Sequence, residues 1–251
     1  MPNIKLAVEA RARSRNTILS QLPDVEYAAL ERFLVPVDLP LGKALSEPSQ
    51  PIEYIYFPIS GLISTDVLTA KGESIEVGLI GREGFAGLPA LFDRPQMAHT
   101  VLMQGSGEGM RIRSSILREQ FLKGGVLRDI VHQFIYLQFV QITQSVLCNR
   151  VHEVEARLAR WLLASADRTG SSSLQLTQEF LAQMLGVQRS TVTVAAGVLQ
   201  QHRLIGYSRG RIEIFDRPGL TTVACECYQI VRSSYDRLLQ PSEDGLLRYV
   251  L

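Results

Sequence analysis

Only three of the 251 residues are cysteine, and none precedes Cys148. Three thiols cannot make the disulfide framework of a small secreted domain, so a reducing, cytoplasmic setting is expected. No apolar run approaches the roughly 18 residues needed to cross a bilayer. Glu9, Arg11, Arg13 and Arg15 stand where a signal peptide would have its apolar segment, so no membrane partner is expected. Charge of either sign is also short of excess: 26 Lys and Arg against 25 Asp and Glu leave +1, which announces neither a nucleic-acid nor an acidic partner. Histidine is sparse. The four (His99, His132, His152, His202) are scattered, and each reads as structural. A cupin-like oxygenase needs a His-x-His pair and a glutamate on strands, yet the β-rich region offers His99 alone. His152-Glu153-Val154-Glu155 lacks the second histidine of a zinc-protease helix. Cys225-Glu226-Cys227 is a C-x-C pair with no neighbouring histidine or third cysteine, read as a C-terminal helix or its lead-in. No catalytic residue, metal or cofactor is expected from these patterns.

Lysine is scarce too. Lys5, Lys43, Lys71 and Lys123 are the only four, and from Arg150 onward every cation is an arginine. Between Arg150 and Arg217 nine arginines face six acids, nine minus six giving +3. Guanidinium groups suit bidentate contact with phosphate or guanine.

The chain falls into textures. Residues 16–36 carry Asn16 or Thr17 as a helix opening and Leu19, Leu22, Leu30, Phe33 and Leu34 as apolar positions, predicting one or two short helices. From Val37 to Ile112 short apolar pieces alternate with Gly and Pro at roughly ten-residue spacing, as expected of an antiparallel barrel or roll. From Val126 to Leu147 there is no Gly or Pro, and apolar residues cover most of a helix surface. A helix apolar nearly all round is buried on more than one side. One side is expected on the roll and the other on a second copy of the chain, with Gln138, Gln141, Gln144 and Ser145 setting register across that contact; a central helix of a monomeric core is the alternative. Asp167 to Ser173, with three serines after a glycine, reads as a loop.

Residues 177–199 carry a helix-turn-helix spacing. Thr177 is a helix N-cap, Ala182 a small residue at a close crossing, Gly186 a left-handed turn, and Val192 the buried residue of the second helix. Leu181, Leu185, Val187 and Ala195 complete the shared core. After Leu204, the run Ile205 to Asp216 alternates around Arg209-Gly210-Arg211, predicting a two-stranded wing. The second helix, about 188–200, faces outward with Arg189, Ser190, Thr193, Val194 and Gly197. Arg189 is the candidate reader of a guanine edge, with a plain phosphate contact as its alternative. Gln188, Ser190 and Thr191 lie at the helix N-terminus, where backbone N–H groups favour phosphate. Thr193 has a methyl or hydroxyl for a base, and Arg209 and Arg211 meet phosphate from the wing, about 205–215.

A β-roll, a long helix and a C-terminal winged helix resemble the Crp/Fnr superfamily. The likeness is carried by Tyr54-Ile-Tyr-Phe-Pro-Ile-Ser-Gly61, Gly81-Arg-Glu-Gly-Phe-Ala-Gly87, Leu176–Leu199 and the wing through Phe215. It implies an α+β fold: a double-stranded, jelly-roll-like sensor roll with its dimerisation helix (about 126–149) in residues 1–149, and a winged helix-turn-helix with a C-terminal helical tail in 150–251. It also implies a DNA-binding transcription regulator that meets a pseudo-palindromic operator as a homodimer. Expected partners are double-stranded DNA, a second copy, RNA polymerase and a small-molecule effector of unknown identity.

Departures from the family bear on that effector. Cyclic-nucleotide-binding members place a glutamate, and then Arg-Ser or Arg-Thr, in a phosphate cassette. Here Phe85 stands about where the carboxylate would be and Met97-Ala98 about where Arg-Ser would be. A buried cyclic phosphate without its arginine is an unpaired anion, so cyclic AMP in the usual mode is not expected. The alternative is a cyclic-nucleotide-responsive regulator with a non-standard pocket, for which Phe85, Ala86, Gly87, Arg94, His99 and Thr100 are the candidates. Iron–sulfur sensing members use an N-terminal cysteine group that this chain lacks. A winged helix that binds protein instead of DNA would have no need of Arg189, Arg203, Arg209 and Arg211.

Overall fold

Asn16 ties the first helix to the rest of the molecule with one side chain. Its Oδ1 accepts the Leu19 N–H at 3.2 Å, capping α1 (Thr17–Ser20), while Nδ2 donates to the carbonyls of Pro58 and Gly84, both at 2.9 Å. The computed structural model describes residues 13, 15–70, 74–94 and 96–238. Lys5, Glu9, Arg11 and Lys71 of the sequence reading, Pro95, and the far end of the expected helical tail lie outside the described residues.

After α2 (Asp24–Glu31) the period changes to two. The strands are β1 (Val35–Leu39), β2 (Ala44–Ser46), β3 (Tyr54–Pro58), β4 (Leu62–Leu68), β5 (Ser74–Ile80), β6 (Thr100–Gly105) and β7 (Gly107–Arg113). They form two antiparallel sheets, in the orders β1-β7-β3 and β2-β6-β4-β5. Pro36 is confined to the edge strand β1, where a missing N–H costs no ladder bond. Inside the roll Phe57, Phe85 and Phe134 stack in series, with centroids 5.5 and 5.0 Å apart. Gly84 is what lets the last ring in: a Cβ there would lie 2.3 Å from Phe134.

Phe134 belongs to α4 (Val126–Val151), reached through α3 (Ser114–Lys123) and the pair Gly124-Gly125, both at positive φ. The N-terminus of α4 has no cap of its own. Glu26 of α2 supplies one, accepting the N–H of Val126 at 2.9 Å and of Leu127 at 2.8 Å, a carboxylate at the positive end of the helix dipole. Leu127, Ile130, Val131, Phe134, Leu137, Gln141, Ser145 and Cys148 share the inward face. The opposite face leaves Phe139 64%, Val146 66% and Val151 62% exposed, with Tyr136 and Ile142 beside them.

Two expectations need correction here. The long helix does not stop near residue 147 or 149 but runs to Val151, because nothing breaks it until His152 turns extended. Gln141 and Ser145 do not face a second copy. They are buried inside the chain, where Gln141 Nε2 donates to the Leu79 carbonyl at 3.1 Å and its Oε1 accepts from Arg168.

The second core is built from α5 (Val154–Thr169), β8 (Ser173–Gln175), α6 (Gln178–Leu185), α7 (Arg189–Gln201), β9 (Ile205–Ser208), β10 (Arg211–Ile214) and α8 (Arg217–Val223). The final helix, α9 (Cys227–Leu238), lies back on α4, with Val231 and Tyr235 packed against Leu137. Leu62 and Leu79 of the roll join the second core, so the two halves share a packed boundary.

Candidate nucleic-acid interface

Thr177 accepts the Phe180 N–H at 3.1 Å and starts α6; Gly186, at φ +62°, ends it. The Val187 N–H bonds back to the Ala182 carbonyl at 3.0 Å, the backward bond that closes a left-handed C-cap. Ala182, Leu185, Val192, Ala195 and Leu199 are buried between the two helices. This phase turns Arg189, Ser190, Thr193, Val194 and Gly197 to solvent, with Gln188 exposed just before them and Thr191 half-buried. The Thr193 hydroxyl shares its proton between the Gln178 side-chain oxygen at 3.1 Å and the Arg189 carbonyl at 3.0 Å.

Beside this helix β9 and β10 pair with Ser208 opposite Arg211, joined by a two-residue turn. Arg209 (φ +50°) and Gly210 (φ +75°) are both left-handed, the geometry of the tight hairpin whose twist matches its strands. Arg209 stands exposed at the tip. Arg211 is exposed as well, but its Nε donates to the Ser173 hydroxyl at 2.7 Å. Ser173 is therefore not loop: it begins β8, which pairs with β10 and makes the wing a three-stranded sheet. The alternation Ser173-Leu174-Gln175-Leu176 was the signal for it. Burial raises the pKa of the Tyr207 hydroxyl on β9, and the Arg189 charge offsets part of that rise.

The effector-pocket candidates lie in different surroundings. Phe85 and Ala86 are in the core, and Ala86 exchanges both backbone bonds with Tyr56. Gly87, at φ +104°, opens the short 3-10 helix Leu88–Phe92. Arg94 is exposed, Thr100 is half-buried in β6, and His99 is half-buried, with its pKa lowered by burial. Met97 is 7% exposed in the same core as Phe85.

A cavity of about 440 Å³ lies elsewhere, where β5, α4, α5 and α9 meet, lined by Glu76, Gln141, Arg160, Arg168 and Tyr235 among others. Sequence reasoning missed this junction. Glu76 of β5 is buried, its Oε1 accepting from Trp161 Nε1 and its Oε2 from Gln104 Nε2, both at 2.9 Å. Burial pushes its carboxyl up to about 7. Arg168 reaches across the same boundary to Glu83 at 3.2 Å and to the Leu79 carbonyl at 3.3 Å.

One further cluster corrects the sequence reading of the C-x-C pair. Cys225 and Cys227 do have a third cysteine and a histidine beside them: Cys148 and His152 from the end of α4. The hydrogen bond from Cys225 holds the Cys148 thiol down to about 5, with the Arg160 charge adding to it. That same bond pushes Cys225 up, and burial pushes Cys227 up to about 11.

The structure thus joins a roll, a long helix with one apolar face in solvent, and a winged helix with an exposed second helix. Residues 156–223 match the family of Crp-like helix-turn-helix domains. The chain is 27% identical over 181 residues to the CRP-like cAMP-activated global transcriptional regulator of Mycobacterium tuberculosis, covering 67% of this chain and 78% of that protein. It is 21% identical over 189 residues to the Global nitrogen regulator of Synechococcus elongatus, covering 72% and 85% respectively. Its fold superimposes on a Crp/Fnr-family transcriptional regulator of Eubacterium rectale with a TM-score of 0.65 at 18% identity, covering 82% of this chain and 96% of that one. Residues 156–223 therefore carry a Crp-like helix-turn-helix domain, and the chain has the fold of the Crp/Fnr-family structure it superimposes on. Among the described residues no helix is long and apolar enough to cross a membrane.

Proposed function

We propose that this regulator binds double-stranded DNA as a homodimer, with α7 in the major groove and the wing on the phosphate backbone. The observation that carries the reading is the exposure of Arg189, Ser190 and Thr193 on the second helix of the helix-turn-helix and of Arg209 at the wing tip. Arg189, at the helix start, reads a base edge; Ser190 and Thr191, with the backbone N–H groups there, hold phosphate, and Gln188 flanks them. Arg209 and, once released from Ser173, Arg211 meet the backbone of the neighbouring groove. The homodimer rests on Tyr136, Phe139, Ile142 and Val146. These recur at three- to four-residue spacing along the solvent face of α4, an apolar stripe that a second copy of the same helix covers. The division into a sensor half ending near residue 149 and a DNA-binding half from 150 belongs to the same proposal, as does RNA polymerase as a partner at the promoter. For the sensor half, Phe85 and Met97 fill the core at the places where a phosphate clamp is expected. The effector is accordingly not a cyclic nucleotide held in the usual way.

Anisotropy on the regulator's own upstream region tests this. Specific binding should survive competitor DNA and weaken steeply with salt. Arg189→Ala should lose about 1–3 kcal/mol of preference between matched and mismatched sites. Arg209→Ala should instead weaken all sites alike and lower the salt slope by about one. Wild-type binding by both variants refutes the assignment.

A further inference from the structure

Four side chains from distant parts of the chain converge where the long helix ends. Cys148 and His152 sit one turn apart on the last turn of α4 and its C-cap, and Cys225 and Cys227 bracket the entry to α9. The ligand atoms of all four lie within 4.8 Å of one another. The Cys148 and Cys225 sulfurs are 3.5 Å apart, and Cys227 Sγ is 3.7 Å from His152 Nδ1. Around a tetrahedral zinc, with Zn–S near 2.3 Å and Zn–N near 2.0 Å, neighbouring ligand atoms stand about 3.5–3.8 Å apart. We propose that Cys148, His152, Cys225 and Cys227 form a Cys3His site for one zinc ion, at the joint between the long helix and the C-terminal half.

The histidine is what separates this cluster from three thiols packed as small hydrophobes. Its two ring nitrogens face different chemistry. Nδ1 points at the cysteines, while Nε2 lies 3.2 Å from a carboxylate oxygen of Glu226. A neutral ring that donates from Nε2 to Glu226 presents its Nδ1 lone pair to the ion, the carboxylate–histidine–metal relay of known zinc sites. The site is also closed. Cys148 and Cys227 are 0% exposed and Cys225 is 8% exposed, which leaves no open position for water or substrate and marks a structural site. Three thiolates and a divalent cation sum to −1, and Arg157 and Arg160 place positive charge against the thiols. The ligand set is soft, which disfavours magnesium and calcium. An iron–sulfur cluster spreads its cysteines over separate irons, whereas here all four groups close on one point. Loading is an acid–base step with no redox change: each thiol that binds gives its proton to solvent.

The ion would bind together groups up to 79 residues apart in sequence (227 minus 148), clamping the lead-in of α9 to the end of α4. The clamp is wired to the DNA-facing half through Arg157, whose guanidinium donates to Asn149 Oδ1 on α4 at 2.9 Å and to the carbonyl of Leu185 at the turn between α6 and α7. The metal site itself stands whether or not the DNA reading does.

The test uses the full chain, reduced, stripped with a chelator and titrated with cobalt(II). The result expected is about one equivalent bound per chain, with the intense visible bands of a tetrahedral thiolate complex, displaced by zinc but not by magnesium. Cys148→Ser and Cys225→Ser should abolish that spectrum. Glu226→Gln changes an exposed side chain and should leave the fold intact while weakening cobalt binding about 10–100-fold, as other second-sphere carboxylate changes do. His132→Ala should change nothing. The proposal is overturned if fully reduced protein takes up no tetrahedral cobalt. It is overturned equally if Cys148→Ser and Cys225→Ser, shown folded by circular dichroism, bind as the wild type does, or if Glu226→Gln leaves affinity untouched. A Cys148–Cys225 disulfide in native protein that gains no metal affinity on reduction would count the same way.

Discussion

Raising the pH should loosen the joint between the roll and the C-terminal half, and Glu76→Gln should abolish that sensitivity. Glu76 is buried between Gln104 and Trp161, and burial pushes its carboxyl up to about 7 from 4.5. Between those values the native protein keeps a proton that the unfolded chain has released. With more protons bound in the native state, stability falls as pH rises through that window. Below 4.5 both states are protonated; above 7 both are ionised and the full loss has accrued. At about 1.4 kcal/mol per tenfold difference in proton affinity, the loss is about 3 kcal/mol, or about 6–12 °C of melting temperature in a chain of this size. Glutamine carries no charge at any of these pH values. Its oxygen can still accept from Trp161, and its amide can donate to the Gln104 Oε1, which has no hydrogen-bond partner in the wild type, once that amide rotates. Thermal melts of both proteins from about pH 5 to about pH 8 at fixed ionic strength read the difference directly. The wild type should lose stability relative to Glu76→Gln with each step upward and level off above about 7. Parallel curves across the whole range would falsify the argument, because they would mean that the carboxyl enters and leaves its charged state without cost.

Two further perturbations probe other parts of the molecule. Val146→Glu, or Phe139→Glu, places a charge in the apolar stripe of α4, and sedimentation should then find a monomer for the variant and a dimer for the wild type; an unchanged mass means that the stripe is not the seam. Gly84→Ala puts a methyl 2.3 Å from the Phe134 ring. This should cost about 1–3 kcal/mol by overpacking, measured by urea unfolding, and no change in midpoint would mean that the ring moves aside freely.

How much was legible in the sequence follows from the range of the forces involved. The helix-turn-helix was readable because its signals are local: a cap at Thr177, a left-handed turn at Gly186 and a buried Val192 lie within sixteen residues, each needing only its neighbours. The hairpin of β9 and β10 is local as well. The third strand escaped notice because Ser171, Ser172 and Ser173 look like loop, and only pairing with β10 orders the last of them. Gln141 was misassigned for a related reason. Periodicity places it on a face of α4 but does not say what lies against that face, and the answer, Leu79 and Arg168, comes from two other elements. Glu76 looked like one polar residue in an alternating strand until Trp161 closed over it. The Cys148, His152, Cys225 and Cys227 cluster was hidden most completely, since nothing in a C-x-C pair states that the end of a helix some 75 residues earlier folds back on it.

The contact of Phe134 with Gly84 also acts as a fulcrum. Fourteen residues of α4 separate that ring from Cys148, about 21 Å at the rise of an α-helix, so a tilt of about 5° about the ring sweeps the far end through about 2 Å. Metal–ligand distances tolerate about 0.2 Å. A bare glycine backbone offers the ring no side chain to yield, so a pivot of α4 there would be felt at the cysteine end on a scale that would decide whether the four proposed ligands could close on one ion.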